Sequence, residues 1–450
     1  MKIVSIAVSK KKGTRKDVVE EALLVKEHGL QGDAHAGAWH RQVSFLAVES
    51  IEKAKASGLS VGFGDFAENI ATEGIDWVKV PVGSRFRLGE SALVEITQIG
   101  KECHKKCAIY YQAGDCIMPR EGVFAKVIEG GMVRCGDEIA PAHLSQAEII
   151  ERIQAKKREL GKELLILTHH YQRKEIVELG DFVGDSFELS KKASADRDCR
   201  YIVFCGVHFM AESAAILAQP HQVVQIPNVE AGCWMAGMAE AETVKSAWEQ
   251  IESAAGQGST IPVVYMNSDA ELKSFCGNLG GTVCTSSNAS KAVRWAFGQK
   301  EKVLFFPDRY LGRNVADDLR IAPEQIIVWS PHKPLGGNDP DAVRRARMIL
   351  WDGYCLVHTR FTVGQIKKMR SEFPEAKIVV HPECTPEVVA LADACGSTSY
   401  IVKYVKEAPA GSTVIIGTEI NLIHRLALEY PDKLVLDLYN SLCPNMFKIN

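Results

Sequence analysis

WDGYCLVHTRF (351–361) and, after a stretch of helical character, KIVVHPEC (377–384) decide how this chain is read. Each is a short apolar run ending in groups that bind metal or move protons: Cys355 and His358 in the first, His381, Glu383 and Cys384 in the second. Strands buried on both faces of a parallel sheet read as such runs, and open α/β sheets place their chemistry beyond the carboxyl ends of the strands. The pattern predicts two parallel strands that deliver their polar side chains to one crevice.

Outward from this stretch the same pattern recurs. LLILTHHY (164–171), YIVFCGV (201–207), VVQIPN (223–228), IPVVYMN (261–267), KVLFFPD (302–308), IIVWS (326–330), YCLVHT (354–359), KIVVHPE (377–383), TVIIGTE (413–419) and LVLDL (434–438) alternate with helical stretches. Strands alternating with helices imply parallel sheets covered on both faces. The runs are too many for one small sheet and fall into groups over roughly 144–260, 261–345 and 346–450, so three small α/β/α layers meeting at a common centre are expected. No Walker loop or GxGxxG fingerprint follows these strands, so a bound nucleotide has no positive support.

Residues 1–142 have another texture. KIVSIAV, QVSFLAV, SRFRLG, ALVEITQIG and GGMVRCGDEI are short, β-leaning and broken by glycine turns, with helical pieces expected at Lys16–Glu27 and Glu49–Ala56. This reads as a β-rich, barrel-like domain. Ser145 and Glu148 then form a capping-box signature ahead of Ile149, Ile150, Ile153 and Leu160 at helical spacing. The boundary is placed at Ala140–His143, giving domains 1–142 and 143–450.

Composition narrows the classes of function. A chain of 450 residues with 46% hydrophobic and 24% charged residues is globular and too long for one core. A net charge of −3 gives no electrostatic reason to expect nucleic acid or an acidic membrane surface. No apolar run approaches the roughly 20 residues of a membrane helix, and MKIVSIAVSKKK lacks a signal-peptide core, so a cytoplasmic protein without membrane partners is expected. Thirteen cysteines in a reducing compartment suggest thiols, metal ligation or sulfur chemistry, although most could equally be small buried hydrophobes.

The polar candidates sit at run ends: His169, His170 and Tyr171; GDS (184–186); AGC (231–233); YMNS (265–268); TSSNAS (285–290); GSTS (396–399). Hydroxyls and N–H groups at a helix start make a cradle for phosphate or carboxylate, and they equally serve as caps. Cys233, Cys355, Cys384 and Cys443 are far apart with no CxxC, so spacing alone leaves a metal site and a structural reading both open.

The ordered set HHYQ (169–172), GDS (184–186), CGVHFMAE (205–212), AGCWMA (231–236), YMNSDAELK (265–273), TSSNA (285–289), SPHKPLGG (330–337), GYCLVHTRF (353–361), HPEC (381–384), GSTS (396–399), GTEINLIHRL (417–426) and CPNM (443–446) resembles the quinolinate synthase family. The resemblance covers essentially all of 144–450 and implies three α/β domains in pseudo-threefold arrangement around a central site. It implies a [4Fe–4S] cluster on Cys233, Cys355 and Cys443, with Cys384 a neighbour and not a ligand, and one iron left open as a Lewis acid. The implied reaction condenses iminoaspartate with dihydroxyacetone phosphate to quinolinate in NAD biosynthesis. Glu383, His381, Tyr171 and Tyr265 match acid/base positions, and His169, Ser186, Asn267, Ser286, His358, Ser397 and Thr398 match substrate-holding ones. The implied partners are a source of iminoaspartate, L-aspartate oxidase or aspartate dehydrogenase, and the iron–sulfur assembly proteins. The family normally continues as a helical tail beyond its last cysteine, whereas this chain stops at Asn450; an incomplete synthase half would instead make a non-catalytic iron–sulfur or sulfur-trafficking protein.

GLQGDAHAG (29–37), RQVSFL (41–46), GDFAENI (64–70) and ITQIGKECHKKC (96–107) resemble the MOSC domain, whose members are thought to bind molybdenum cofactor or carry sulfur as a cysteine persulfide. Cys103 matches the sulfur-carrying position, with Lys101, His104, Lys105 and Lys106 beside it to favour thiolate and Cys107 and Cys116 as further thiols.

Overall fold

The computed structural model describes residues 1–100, 110–111 and 116–450. It comprises two compact units, Met1–Glu151 and Arg152–Asn450. The capping box at their junction forms as expected: the Ser145 hydroxyl accepts from the Glu148 N–H at 3.3 Å, and the Glu148 carboxylate accepts from the Ser145 N–H at 3.0 Å.

The first unit is built on an eight-stranded, largely antiparallel sheet, with Asp17–Val19 at one end of the strand order and Ile139–Ala142 at the other. The sheet curls until Lys2 bridges Glu138, and the Ile139 N–H donates to the Met1 carbonyl at 2.9 Å. Closure of this kind removes exposed strand edges, and the inward set Ile3, Ile6, Phe45, Ile70 and Val94 forms the core. Trp77 sits between Phe45 and Phe86, each ring 5.1 Å away, and its indole N–H donates to Thr72 at 2.7 Å, so the large side chain is buried without an orphaned donor. The helix expected at Lys16–Glu27 is instead two strands, Asp17–Val19 and Glu21–Val25. Pairing of Val18 and Val19 with Lys2–Val8, and of Leu23 and Leu24 with Gly131–Arg134, overrides the helical propensity of EEALLVKE.

The second unit contains three parallel sheets. In chain order the strands of the first are Leu164–His169, Phe182–Gly184, Tyr201–Cys205 and Val223–Gln225, and they lie side by side as 2-1-3-4. The third sheet repeats that order with Lys377–Val380, Ala394–Cys395, Thr413–Gly417 and Leu434–Asp437. The middle sheet, with Thr260–Tyr265, Thr282–Cys284, Lys302–Phe306, Ile326–Trp329 and Met348–Trp351, extends it to 2-1-3-5-4. YCLVHT is not a strand; the strand is Met348–Trp351, just before it, and it belongs to the middle sheet and not to the 346–450 group. Its four residues are all buried, whereas Tyr354–Thr359 carries the polar groups that leave the sheet. Among the described residues no helix is long and apolar enough to cross a membrane.

Candidate active site

Strand order reverses beside the first strand of each layer, where doubly wound sheets open a crevice at the strands' carboxyl ends. One cleft receives residues from all three layers. They come from matching places. Past each first strand stand His169 and Tyr171, Tyr265 and Asn267, or His381 and Glu383. Past each short second strand stand hydroxyls at a helix start, Ser186, Ser286 or Thr398. Past the last strand in chain order stands one cysteine: Cys233, Cys355 or Cys443. His358 and Met446 complete this wall, and no lysine or arginine is among the described lining residues.

The three cysteines share one local structure. The N–H of the third residue onward, at Ala236, His358 and Met446, points at each sulfur. The N–H of the fourth, at Gly237, Thr359 and Phe447, donates to each cysteine's own carbonyl at 3.1 Å. Burial pushes the thiol of Cys233 up to about 12 and that of Cys443 to about 11, and Cys355 rises well above the ordinary range for the same reason. Thiolates here need a cation, and the turn N–H groups are placed to stabilise them once it is bound. The Cys355 sulfur also stands within 4.8 Å of ligand atoms of His358 and Glu383, but that imidazole and carboxylate already satisfy each other at 2.7 Å. Cys384 is fully buried in a separate core and directs its sulfur at the Gly417 carbonyl, away from the cleft.

Beside the thiols, with His358 Nδ1 3.3 Å from Cys355 Sγ, runs an unbroken chain of hydrogen bonds. Thr398 Oγ1 meets Tyr171 Oη at 3.0 Å, Tyr171 Oη meets Thr418 Oγ1 at 2.8 Å, and Thr418 Oγ1 meets His358 Nε2 at 3.0 Å. His358 Nδ1 lies 2.7 Å from Glu383 Oε2, and Tyr265 Oη donates to Glu383 Oε1 at 2.6 Å. An ionised carboxylate only accepts, so His358 donates from Nδ1; with the neutral Nδ1–H tautomer, Nε2 accepts and each hydroxyl up the line donates toward the imidazole. In that tautomer every proton in the chain points at Glu383. Burial alone would raise the Glu383 carboxyl, but the nearby His381 and His358 imidazoles, through any positive charge they take up, and the hydrogen bonds from His358 and Tyr265 hold it below the usual carboxylate range. Burial raises the phenols of Tyr171 and Tyr265 well above their usual range, so both keep their protons.

His381 stacks on His358 with centroids 4.3 Å apart and its Nδ1 accepts from the Glu383 N–H at 3.4 Å, while burial keeps the ring neutral by lowering it to about 3. His169 holds the Tyr171 N–H on Nδ1 at 3.1 Å and is likewise kept neutral by burial. His170 points elsewhere, to Arg425 at 2.9 Å. Ser397 is not among the cleft-lining residues; its hydroxyl caps the helix Thr398–Glu407 by accepting from Tyr400 N–H. Thr418 is the member of the chain that sequence reading left without a role. It lies inside GTEINLIHRL, and a threonine at a strand end carries no signal until its two partners are seen.

In the first unit Cys103, Cys107, Lys101, His104, Lys105 and Lys106 lie outside the described residues. Cys116 is buried in a core with Leu46, Ile51 and Phe66. The recurrent polar residues act as staples: Asp33 takes the Lys16 ammonium at 2.6 Å and the Ser9 and His35 N–H groups at 2.9 Å, and Asn69 ties Ser44 to Ala7.

Comparison with known proteins agrees with this division. The family model described as quinolinate synthetase A protein matches residues 151–450, and the MOSC domain model matches 32–140. The chain is 49% identical over 308 residues to the quinolinate synthase of Corynebacterium glutamicum, covering 68% of this chain and 78% of that one. It is 48% identical over 318 residues to that of Streptomyces coelicolor, covering 70% and 80%. Among solved structures, YiiM from Escherichia coli shares 23% identity over 36% of this chain and 85% of its own, with a TM-score of 0.25. Three layers that each bring one cysteine turn, one helix-start hydroxyl and one strand-end acid/base group to a common cleft are thus found in a chain that belongs to the quinolinate synthase family, a family of enzymes, and that carries a MOSC domain at its N-terminal side.

Proposed function

We propose that the cleft condenses iminoaspartate with dihydroxyacetone phosphate to give quinolinate, phosphate and water, a step of NAD biosynthesis in the cytoplasm. The observation that carries this reading is the hydrogen-bond chain converging on Glu383 beside three equivalently built cysteines. Cys233, Cys355 and Cys443 would hold a [4Fe–4S] cluster, which supplies one iron free of protein ligands as a Lewis acid.

The chain's own residues account for the rest. Glu383, ionised and buried, takes protons from substrate, and Tyr265 and His358 return hydrogen bonds that stabilise it in either state. Tyr171, which accepts from Thr398 and donates to Thr418, presents a phenol that can turn its one proton to a leaving oxygen and take another from the Thr398 side. With no cationic side chain among the described lining residues, the anionic groups of the substrates are held by Ser186, Ser286 and Asn267 and by N–H groups at the start of Thr398–Glu407, those of Phe187 and Glu188 being taken by Asp185. His169 and His381 stay neutral and serve as hydrogen-bond partners, so an anion is bound without a fixed positive charge that would slow its release. Ser397, a further substrate-holding position by resemblance, also orients Thr398 by capping its helix.

At the MOSC domain we propose sulfur carriage on Cys103 or binding of molybdenum cofactor, as the family resemblance implies. A purely sulfur-storing protein would use the three cysteines and leave the six-residue chain without work. Anaerobic reconstitution with iron and sulfide, followed by a quinolinate assay with both substrates, decides between them. Quinolinate formation supports the synthase reading; a fully loaded protein that forms none rejects it.

A further inference from the structure

Glu383 sits in a turn whose backbone is held from another layer. The helix Arg309–Asp318 follows the third strand of the middle sheet, and its Asn314 carboxamide reaches into HPEC of the third layer. The Asn314 Nδ2 donates to the Pro382 carbonyl at 2.8 Å and to the Cys384 carbonyl at 2.9 Å, one on each side of Glu383. Both hydrogens of one amide are thereby spent on the two carbonyls that flank a single side chain.

The helix that carries Asn314 is itself fixed. Asp308, fully buried, caps it by accepting from the Tyr310 and Leu311 N–H groups at 2.8 Å each. Gly312 lets it lie close on the middle sheet: a Cβ there would stand 2.6 Å from Leu350 Cδ2 and 2.7 Å from Phe305 Cδ1. A rigid arm on one layer therefore sets the backbone of another at the residue where the hydrogen-bond chain ends. Glu383 needs both carboxylate oxygens in register, one for Tyr265 at 2.6 Å and one for His358 at 2.7 Å, and these partners stand on different elements. A rotation of the Pro382–Cys384 backbone breaks one or both.

We propose that Asn314 is a positioning residue for Glu383, holding its carboxylate between Tyr265 and His358 by clamping the peptide on either side. The inference rests on the reading of Glu383 as the acid/base group, and its test separates the two. In the reconstituted full-length protein, Asn314→Ala lowers kcat about 10- to 100-fold, the range expected for a reacting group displaced by about 1 Å, with KM and iron content nearly unchanged. The acid limb of kcat/KM moves to higher pH, because a carboxylate that loses hydrogen bonds to its charged form is protonated more easily. In a Glu383→Gln background the same substitution costs less than about 2-fold, since its effect has no other route. Should the alanine variant fail to fold or load iron, Asn314→Ser, which keeps one donor, is measured in its place. A normal kcat with an unmoved acid limb, or an equal loss in both backgrounds, overturns the proposal. Turnover of the single Glu383→Gln variant at the unmodified protein's rate overturns the reading of Glu383 instead.

Discussion

The two units of this chain handle buried charge in opposite ways. In the first, Lys16 and Asp33 are almost fully enclosed and neutralise each other at 2.6 Å, with the remaining carboxylate valence taken by backbone N–H groups. In the second, Glu383 is equally buried, but its partners are a phenol and an imidazole that belong to a chain of exchangeable protons lining a cleft. The first carboxylate fastens loops; the second is poised to change its proton. Burial of an acidic group thus says little by itself, and the proton inventory of its neighbours says what it is for.

The largest expected effects fall on the cysteines. Cys233→Ala, Cys355→Ala or Cys443→Ala each leaves the anaerobically reconstituted protein with almost no bound iron or labile sulfide, whereas Cys384→Ala, whose sulfur faces away from the cleft, keeps them. Bleaching by Cys384→Ala alone would show that the equivalence of the three turns had been misread. A smaller effect is expected at Thr418→Val, which severs Tyr171 from His358 at constant side-chain shape. Turnover should fall about 10-fold at unchanged iron content, below the loss of the acid/base group itself. A normal rate there would mean that turnover does not need the link from Tyr171 through Thr418 to His358.

Glu68 tests the first unit by its pH dependence. It is buried, accepts the N–H groups of Gly64 and Phe66, and burial lifts its carboxyl from 4.5 to about 7. Between those values the folded state keeps a proton that the unfolded chain releases. Stability contributed by this group is therefore lost as pH rises from about 4.5 to 7, by at most about 3 kcal/mol. Thermal unfolding of Glu68→Gln should lack that part of the pH slope; an identical slope in both proteins would assign it elsewhere. The smallest effect concerns separation of the units. The chain divides into two compact units and the three cleft cysteines all belong to the second, so removal of residues 1–142 should leave cluster absorption and quinolinate formation largely intact after chemical reconstitution. Cys103→Ser should matter only when assembly depends on protein-bound sulfur. Inactivity of the shortened, iron-loaded chain would show that the units are not independent.

Much of this was legible in the sequence, for a physical reason. A strand buried on both faces must be apolar along its length, so where it ends and its polar groups begin is visible, and LLILTHHY, IPVVYMN and KIVVHPE announce His169, Tyr171, Tyr265, His381 and Glu383. The second strands, Phe182–Gly184, Thr282–Cys284 and Ala394–Cys395, were not legible because two or three residues carry no period, although the hydroxyls that follow them were. YCLVHT misled because it is the turn that leaves the strand Met348–Trp351 and not a strand itself, with Val357 buried and Leu356 exposed. EEALLVKE misled because cross-strand partners, invisible to local propensity, decide its state. Asn314 and Thr418 were silent altogether: an asparagine on a helix and a threonine at a strand end acquire meaning only from partners more than 50 residues away, as the separations of 68 and 60 residues to Pro382 and His358 show.

The central claim is that protons in the cleft converge on Glu383, and it is tested most directly by Glu383→Gln in the anaerobically reconstituted full-length protein, with iron content and quinolinate formation measured on the same sample. Glutamine keeps the shape and a hydrogen-bonding capacity but cannot take up a proton. The iron content should equal that of the unmodified protein while turnover falls by at least about 100-fold. Near-normal turnover at full iron content would contradict the account and return Glu383 to a structural role.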